Sequence, residues 1–113
     1  MRKLISIDDI DCTDAVKCLV ASSEYTCAII CESHAHGVHT IVPLLRSALP
    51  ADFVYSPIKG EFRNDNRRIL LCSRDAVETL RGLTFGALMM PADVSISEPL
   101  MLQSVRTVIR YSA

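Results

Sequence analysis

The stretch Tyr25-Thr26-Cys27-Ala28-Ile29-Ile30-Cys31 carries no charge and is dominated by apolar and β-branched side chains, and a polar segment, residues 32–37, follows it at once. A run without polar alternation suits a strand covered on both faces, the environment of a parallel sheet. Parallel strands are joined by crossovers, usually helical. The flanking sequence supplies such segments. Residues 3–7 read as a short strand that Asp8, Asp9 and Asp11 then break. Ala15, Val16, Leu19 and Val20 fall at helical spacing, with Asp11 or Thr13 as N-cap and Ser22-Ser23 as the stop.

After the polar segment, Ile41, Val42, Leu44, Leu45 and Ala48 predict a second helix, capped by Thr40 with Pro43 in its first turn. Residues 52–56 form a third strand, and the polar connection 57–66 has room for a hairpin or a flexible loop. Residues 68–72 are a fourth strand; Ser73 caps a helix through Ala76, Val77 and Leu80, with Gly82 just past its end. Residues 85–90 are a fifth strand. Ser97 and Pro99 open a last helix, with Leu100, Met101, Val105, Val108 and Ile109 on its apolar side.

The order β-α-β-α-β-β-α-β-α predicts one α/β domain over residues 1–113: a three-layer sandwich with a mostly parallel five-strand sheet and four helices. The 50% hydrophobic content can fill such a core, and with no Trp it must come from Ile, Leu, Val, Ala and Met. Only 22% of residues are charged, which excludes a disordered, solvating chain. The net charge of −1 argues against a strongly basic nucleic-acid binder but not against a local patch. Charge is uneven, however: residues 1–57 carry −3 and residues 58–113 carry +2, the latter mostly from Arg63, Arg67, Arg68, Arg74, Arg81, Arg106 and Arg110. These arginines are either a solvated surface or a patch for phosphate or an acidic partner, and an alternative reading of the chain is a nucleic-acid-binding module that uses them. Five cysteines without a close pair predict a reduced, cytoplasmic protein. The apolar run behind Met1-Arg2-Lys3 is too short for a signal-peptide core, and no stretch is long enough to span a membrane.

Function is expected at the segment Ala28 to Thr40, where a buried strand runs through a polar loop into a helix. Ligands of open α/β sheets bind beyond the carboxyl ends of the strands, and helix starts favour anions. Two chemistries compete there. A phosphate loop needs glycines that let the backbone wrap phosphate, then Lys and Ser/Thr. Here Ser33 or Glu32 stands near the first glycine position, Gly37 at the second, Val38 at the lysine, and His39 or Thr40 at the hydroxyl. The alternative is a metal centre on His34, His36 and His39, with Cys31 and Glu32 just upstream. Ser33-His34-Ala35-His36-Gly37-Val38-His39 resembles the His-x-His-x-Asp-His motif of metallo-β-lactamase-fold hydrolases, with Val38 in place of the aspartate.

A longer resemblance covers residues 14–110. It is similar to the front half of the ATPase domain of phage large terminases and related P-loop motor proteins. Leu80-Arg81-Gly82 matches that family's Leu-Arg-Gly signature, and Phe85-Gly86-Ala87-Leu88-Met89-Met90 matches the apolar strand that ends in its acidic pair. Pro91 and Ala92 occupy the place of the pair, and Asp93 comes late. The resemblance implies a degenerate phosphate loop at Ser33, His34, Gly37, His39 and Thr40, and a degenerate acidic site at Pro91, Ala92 and Asp93. ATP hydrolysis needs a loop lysine and carboxylates that hold Mg²⁺ and orient water. Without them, the expectation is a non-catalytic pseudo-ATPase that binds no cofactor. It would bind a protein, as an accessory or inhibitor of a nucleic-acid-processing machine, and would be phage-encoded. Arg67, Arg68 and Arg81 are the candidate partner or phosphate contacts, and Lys59 or Arg81 the candidate stand-ins for the missing lysine.

Lesser candidates have structural readings beside the functional ones. Ser33 with His34 or His36 evokes a nucleophile and base, yet sequence neighbours rarely adopt that geometry. Cys31 is an activated thiolate or a buried hydrophobe. Met89, Met90 and Met101 are a binding face or core filling. Arg81 is a catalytic finger or a helix-end cation. Asp8, Asp9, Asp11 and Asp14 are a cation site or a solvated turn and helix start.

Overall fold

The computed structural model describes residues 5–22, 24–80, 83–94 and 105–112. They form β1 (Ile5–Asp11), α1 (Cys12–Ala21), β2 (Thr26–Cys31), α2 (His34–His36), a π turn (Gly37–Ile41), α3 (Val42–Ala48), β3 (Val54–Ser56), β4 (Glu61–Arg63), β5 (Arg68–Ser73), a 3₁₀ segment (Arg74–Leu80), β6 (Ala87–Pro91) and β7 (Thr107–Ser112). One sheet of seven strands has the order β1-β7-β6-β2-β5-β4-β3. β1, β7, β6, β2 and β5 run parallel, while β4 and β3 close the edge as an antiparallel hairpin.

β2 lies at the centre. Every residue from Cys27 to Cys31 is buried, as the apolar run predicts. Alternation sends Cys27, Ile29 and Cys31 into the core under α1 and α3, where they meet Val16, Leu19, Ile41 and Leu45. Ala28 and Ile30 enter a second core with Leu80, Phe85, Leu88, Met90 and Val108. Met89 and Met90 are fully enclosed, so they fill the core.

The α/β class and the alternation hold, but the sheet is mixed and has seven strands, two more than expected. β4 is one addition. It arises in the polar connection, where Gly60 turns the chain with φ of +63° and Asn64 and Asn66 make a second turn (Asn64 N–H to Arg67 O, 3.0 Å). β7 is the other, and it replaces the C-terminal part of the expected last helix. Val105, Val108 and Ile109 are buried as predicted, but on a strand and its approach. The run Thr107-Val108-Ile109 is β-branched throughout and stiff at χ1, which favours a strand. The Ser97 and Pro99 start of that helix, with Leu100 and Met101, lies outside the described residues.

Local departures have local causes. β1 does not stop at Asp8 but continues to Asp11 through a bulge between Ile7 and Ile10. Asp9 takes φ of 55° there, a conformation that short polar side chains tolerate. Asp11, rather than Thr13, caps α1 by accepting a hydrogen bond from the Asp14 N–H (2.8 Å). The second helix begins at His34, not at Ile41, so Thr40 is internal and Ser33 is the cap (His36 N–H to Ser33 Oγ, 3.0 Å). Its wide turn answers Pro43, which lacks an N–H and whose ring crowds the preceding carbonyls. The helix after β5 is 3₁₀ and kinked at Ala76.

Candidate functional site at the carboxyl ends of the parallel strands

Three strands end side by side, and each is followed within two residues by a charged group: Glu32 after β2, Arg74 after β5 and Asp93 after β6. They meet. Arg74 Nη1 donates to Glu32 Oε2 at 3.0 Å, and Arg74 Nη2 donates to Asp93 Oδ2 at 3.1 Å, with Nη1 reaching Asp93 Oδ1 at 3.4 Å. The fork-to-carboxylate match is the geometry a guanidinium favours. Its hydrogen bond to Asp93, with the adjoining negative charges, holds the Arg74 pKa above its ordinary value.

Behind this triad the floor is closed. The buried Tyr111 hydroxyl donates to the Ile30 carbonyl at 2.8 Å, and burial pushes its pKa up. The His36 ring stacks on Tyr111 with centroids 6.0 Å apart. His36 Nδ1 accepts the Glu32 N–H at 3.2 Å, which places any ring proton of the neutral form on Nε2. Burial pushes the Cys31 thiol up to about 12, so it is a neutral hydrophobe rather than an activated thiolate.

The expected phosphate-loop residues are placed as follows. Ser33 caps α2, His34 is exposed on it, and Gly37, His39 and Thr40 belong to the π turn. Only Glu32 and Ser33 separate β2 from helix. Gly37 faces inward, where an added Cβ would stand 3.2 Å from Cys31 Sγ. His39 and Thr40 are exposed. The adjoining cavity, bordered by Ser33, His34, Gly37, Tyr55, Gly60 and Ser73, measures about 70 Å³; ligand pockets run from about 300 Å³. Pro91 ends β6 in full burial, the Ala92 N–H donates to the Tyr111 carbonyl at 2.8 Å, and Asp93 is the acidic group that reaches the crevice.

The three histidines are not brought together around a common point: among the described residues no group of three or more His, Cys, Asp or Glu is arranged to hold a metal ion. Two of the candidate contact arginines, Arg67 and Arg68, are engaged within the protein. Arg67 binds the carbonyls of Leu19, Val20 and Glu24, and Arg68 pairs with Glu61 at 3.0 Å. Arg81 and Gly82 lie outside the described residues. Sequence reasoning placed Glu32 beside the phosphate loop and the histidines and Arg74 among the later arginines, without pairing them, and passed over Tyr111 as a site residue. The signal for the first two was positional, since each directly follows a buried strand.

No family model, curated protein or solved structure matches the chain.

Proposed function

We propose that the chain is a non-catalytic, P-loop-like domain, a pseudo-ATPase that works by binding another protein, as an accessory or inhibitor of a nucleic-acid-processing machine such as phages encode. The observation that carries this reading is the Glu32–Arg74–Asp93 bridge. In a working site the acidic group after β6 would be left for a metal ion, and a lysine would meet the phosphates. Here an internal guanidinium neutralises both carboxylates, and a two-residue connection leaves no loop to wrap an anion. Tyr25, Val54 and Ile58, the last 99% exposed, are exposed apolar side chains that a protein partner would cover. Arg67, Arg68, Arg74 and Arg110 all hydrogen-bond to acceptors of their own chain, and of these arginines only Arg63, 54% exposed, stands at ion-pair distance alone, so a nucleic-acid reading draws less support. Titration with Mg-ATP and a phosphate-release assay test the proposal. No saturable binding and no turnover are expected; turnover abolished by Thr40→Ala would defeat it.

A further inference from the structure

His36 is held through the nitrogen that a second proton would have to occupy. Its Nδ1 accepts the Glu32 N–H at 3.2 Å. A neutral imidazole has one N–H and one acceptor nitrogen, so its proton stands on Nε2. Acidification can add a proton at Nδ1 alone. That proton would point at the Glu32 N–H, donor against donor, and the hydrogen bond would be lost. Ser33 Oγ accepts the His36 N–H at 3.0 Å, and the ring stacks on Tyr111, whose hydroxyl is tied to the Ile30 carbonyl. The ring therefore sits on fixed groups, and the Glu32 N–H is the contact that protonation must break.

Glu32 links this ring to the crevice. While its N–H is held by His36, its carboxylate accepts from Arg74 Nη1 at 3.0 Å, and Arg74 Nη2 donates to Asp93 at 3.1 Å. The other titratable groups around the ring and its Tyr111 partner are Cys31 at the end of β2 and Cys12 at the start of α1, with Asp11 next to Cys12 in sequence. Burial keeps both thiols and the Tyr111 hydroxyl protonated, with Cys12 raised to about 11 and Cys31 to about 12. The charges there are thus the carboxylates of Glu32, Asp93 and Asp11 against a single guanidinium. An imidazolium formed there meets more negative than positive charge, and it gives Glu32 a second cation to pair with.

We propose that His36 is a pH-sensitive latch on this crevice. Neutral, it fixes the Glu32 backbone and with it the Glu32–Arg74 pair. Protonated at Nδ1, it releases the Glu32 N–H and competes with Arg74 for the Glu32 carboxylate, while Arg74 keeps Asp93 as its partner. Geometry sets the direction: the closed form excludes the Nδ1 proton, so acid favours the open form. Histidine is the side chain that ordinarily changes charge between about pH 5 and pH 8, and the short connection of Glu32 and Ser33 between β2 and α2 leaves little slack to absorb a lost bond. The latch needs only this geometry, not the pseudo-ATPase reading.

The test is a pH titration of the full chain from about pH 8 to about pH 5.5, followed by the resonances of backbone amides, histidine ring nitrogens and arginine guanidinium groups; carboxylates ordinarily titrate below this range. At the alkaline end the His36 proton is expected on Nε2. On acidification the Glu32 amide and the Arg74 guanidinium should shift with the same midpoint as the His36 ring. His36→Phe keeps a ring for Tyr111 but has no nitrogen to accept or titrate, and both shifts should be lost; should that variant not fold, the tautomer and the shared midpoint decide the matter. His34→Gln and His39→Gln, which alter exposed rings of the same segment, should leave the response intact. A proton on Nδ1 at the alkaline end overturns the proposal. So does a Glu32 amide or an Arg74 guanidinium that ignores the His36 midpoint, or a response that survives His36→Phe or vanishes in His34→Gln or His39→Gln.

Discussion

Arg67 precedes β5, yet its guanidinium ends α1. Nε donates to the Glu24 carbonyl (2.7 Å), Nη1 to Val20 (2.7 Å) and Nη2 to Leu19 (2.9 Å). α1 has no basic residue in its own last turn, so this distant cation meets both its orphan carbonyls and its negative dipole end. Arg67→Ala should cost about 2–3 kcal/mol in urea denaturation. Arg67→Lys should restore only part of that, because one ammonium cannot reproduce the fork. None of this was legible from the residue itself, which read as a surface contact; its partners lie more than 40 positions away. The buried thiols give a second residue-level expectation. Burial raises the Cys72 thiol to about 11 and the Cys31 thiol to about 12, against an ordinary 9.0. Above pH 9 the unfolded chain releases these protons while the folded chain keeps them. The folded state then binds more protons, and stability falls as pH rises. Their contribution is fully present below pH 9 and lost between pH 9 and about 11–12. Melting temperature should therefore drop from about pH 7 to about pH 10, with Cys31 withdrawing about 1 kcal/mol at the upper end, and Cys31→Ala should show a shallower drop.

At the scale of elements, the β3–β4 hairpin depends on Gly60. Its φ of +63° is left-handed, and a Cβ there would stand 3.2 Å from the Leu71 carbonyl oxygen, which belongs to the neighbouring strand. Gly60→Ala should destabilise by about 1–2 kcal/mol, read by chemical denaturation, with the largest shifts in β4 and β5. Elements with one strong signal were legible: the apolar run gave β2, the helical spacing gave α1, and the apolar stretch before Pro91 gave β6. Elements with mixed signals were not. Val105, Val108 and Ile109 satisfy a helical period, but they also sit in a β-branched run, and sheet burial decides between the two. β1 looked shorter than it is because three aspartates normally end a strand, whereas a bulge absorbs them here. The crevice was legible in place but not in state. The carboxyl-end rule located it, while the pairing of Glu32, Arg74 and Asp93 follows from strand order, which spacing alone does not encode.

Across the whole molecule, the sheet grades from a dry centre to wet edges. β2 is buried on both faces between β5 and β6, whereas β1 and β3 are outermost. Native-state hydrogen exchange should protect Cys27 to Cys31 most, near the global unfolding free energy, and Val54 to Ser56 least; equal protection of the two would contradict the layered core. Among the described residues no helix is long and apolar enough to cross a membrane. The placement of β7 also governs assembly. It lies between β6 and β1, and among the described residues no other strand flanks β1. β1 and β7 pair across about a hundred residues of chain, a loop closure whose entropy must be met before the pair forms. Folding should be slow, with the acidic bulge of β1 shielding a lone edge from other chains until β7 arrives.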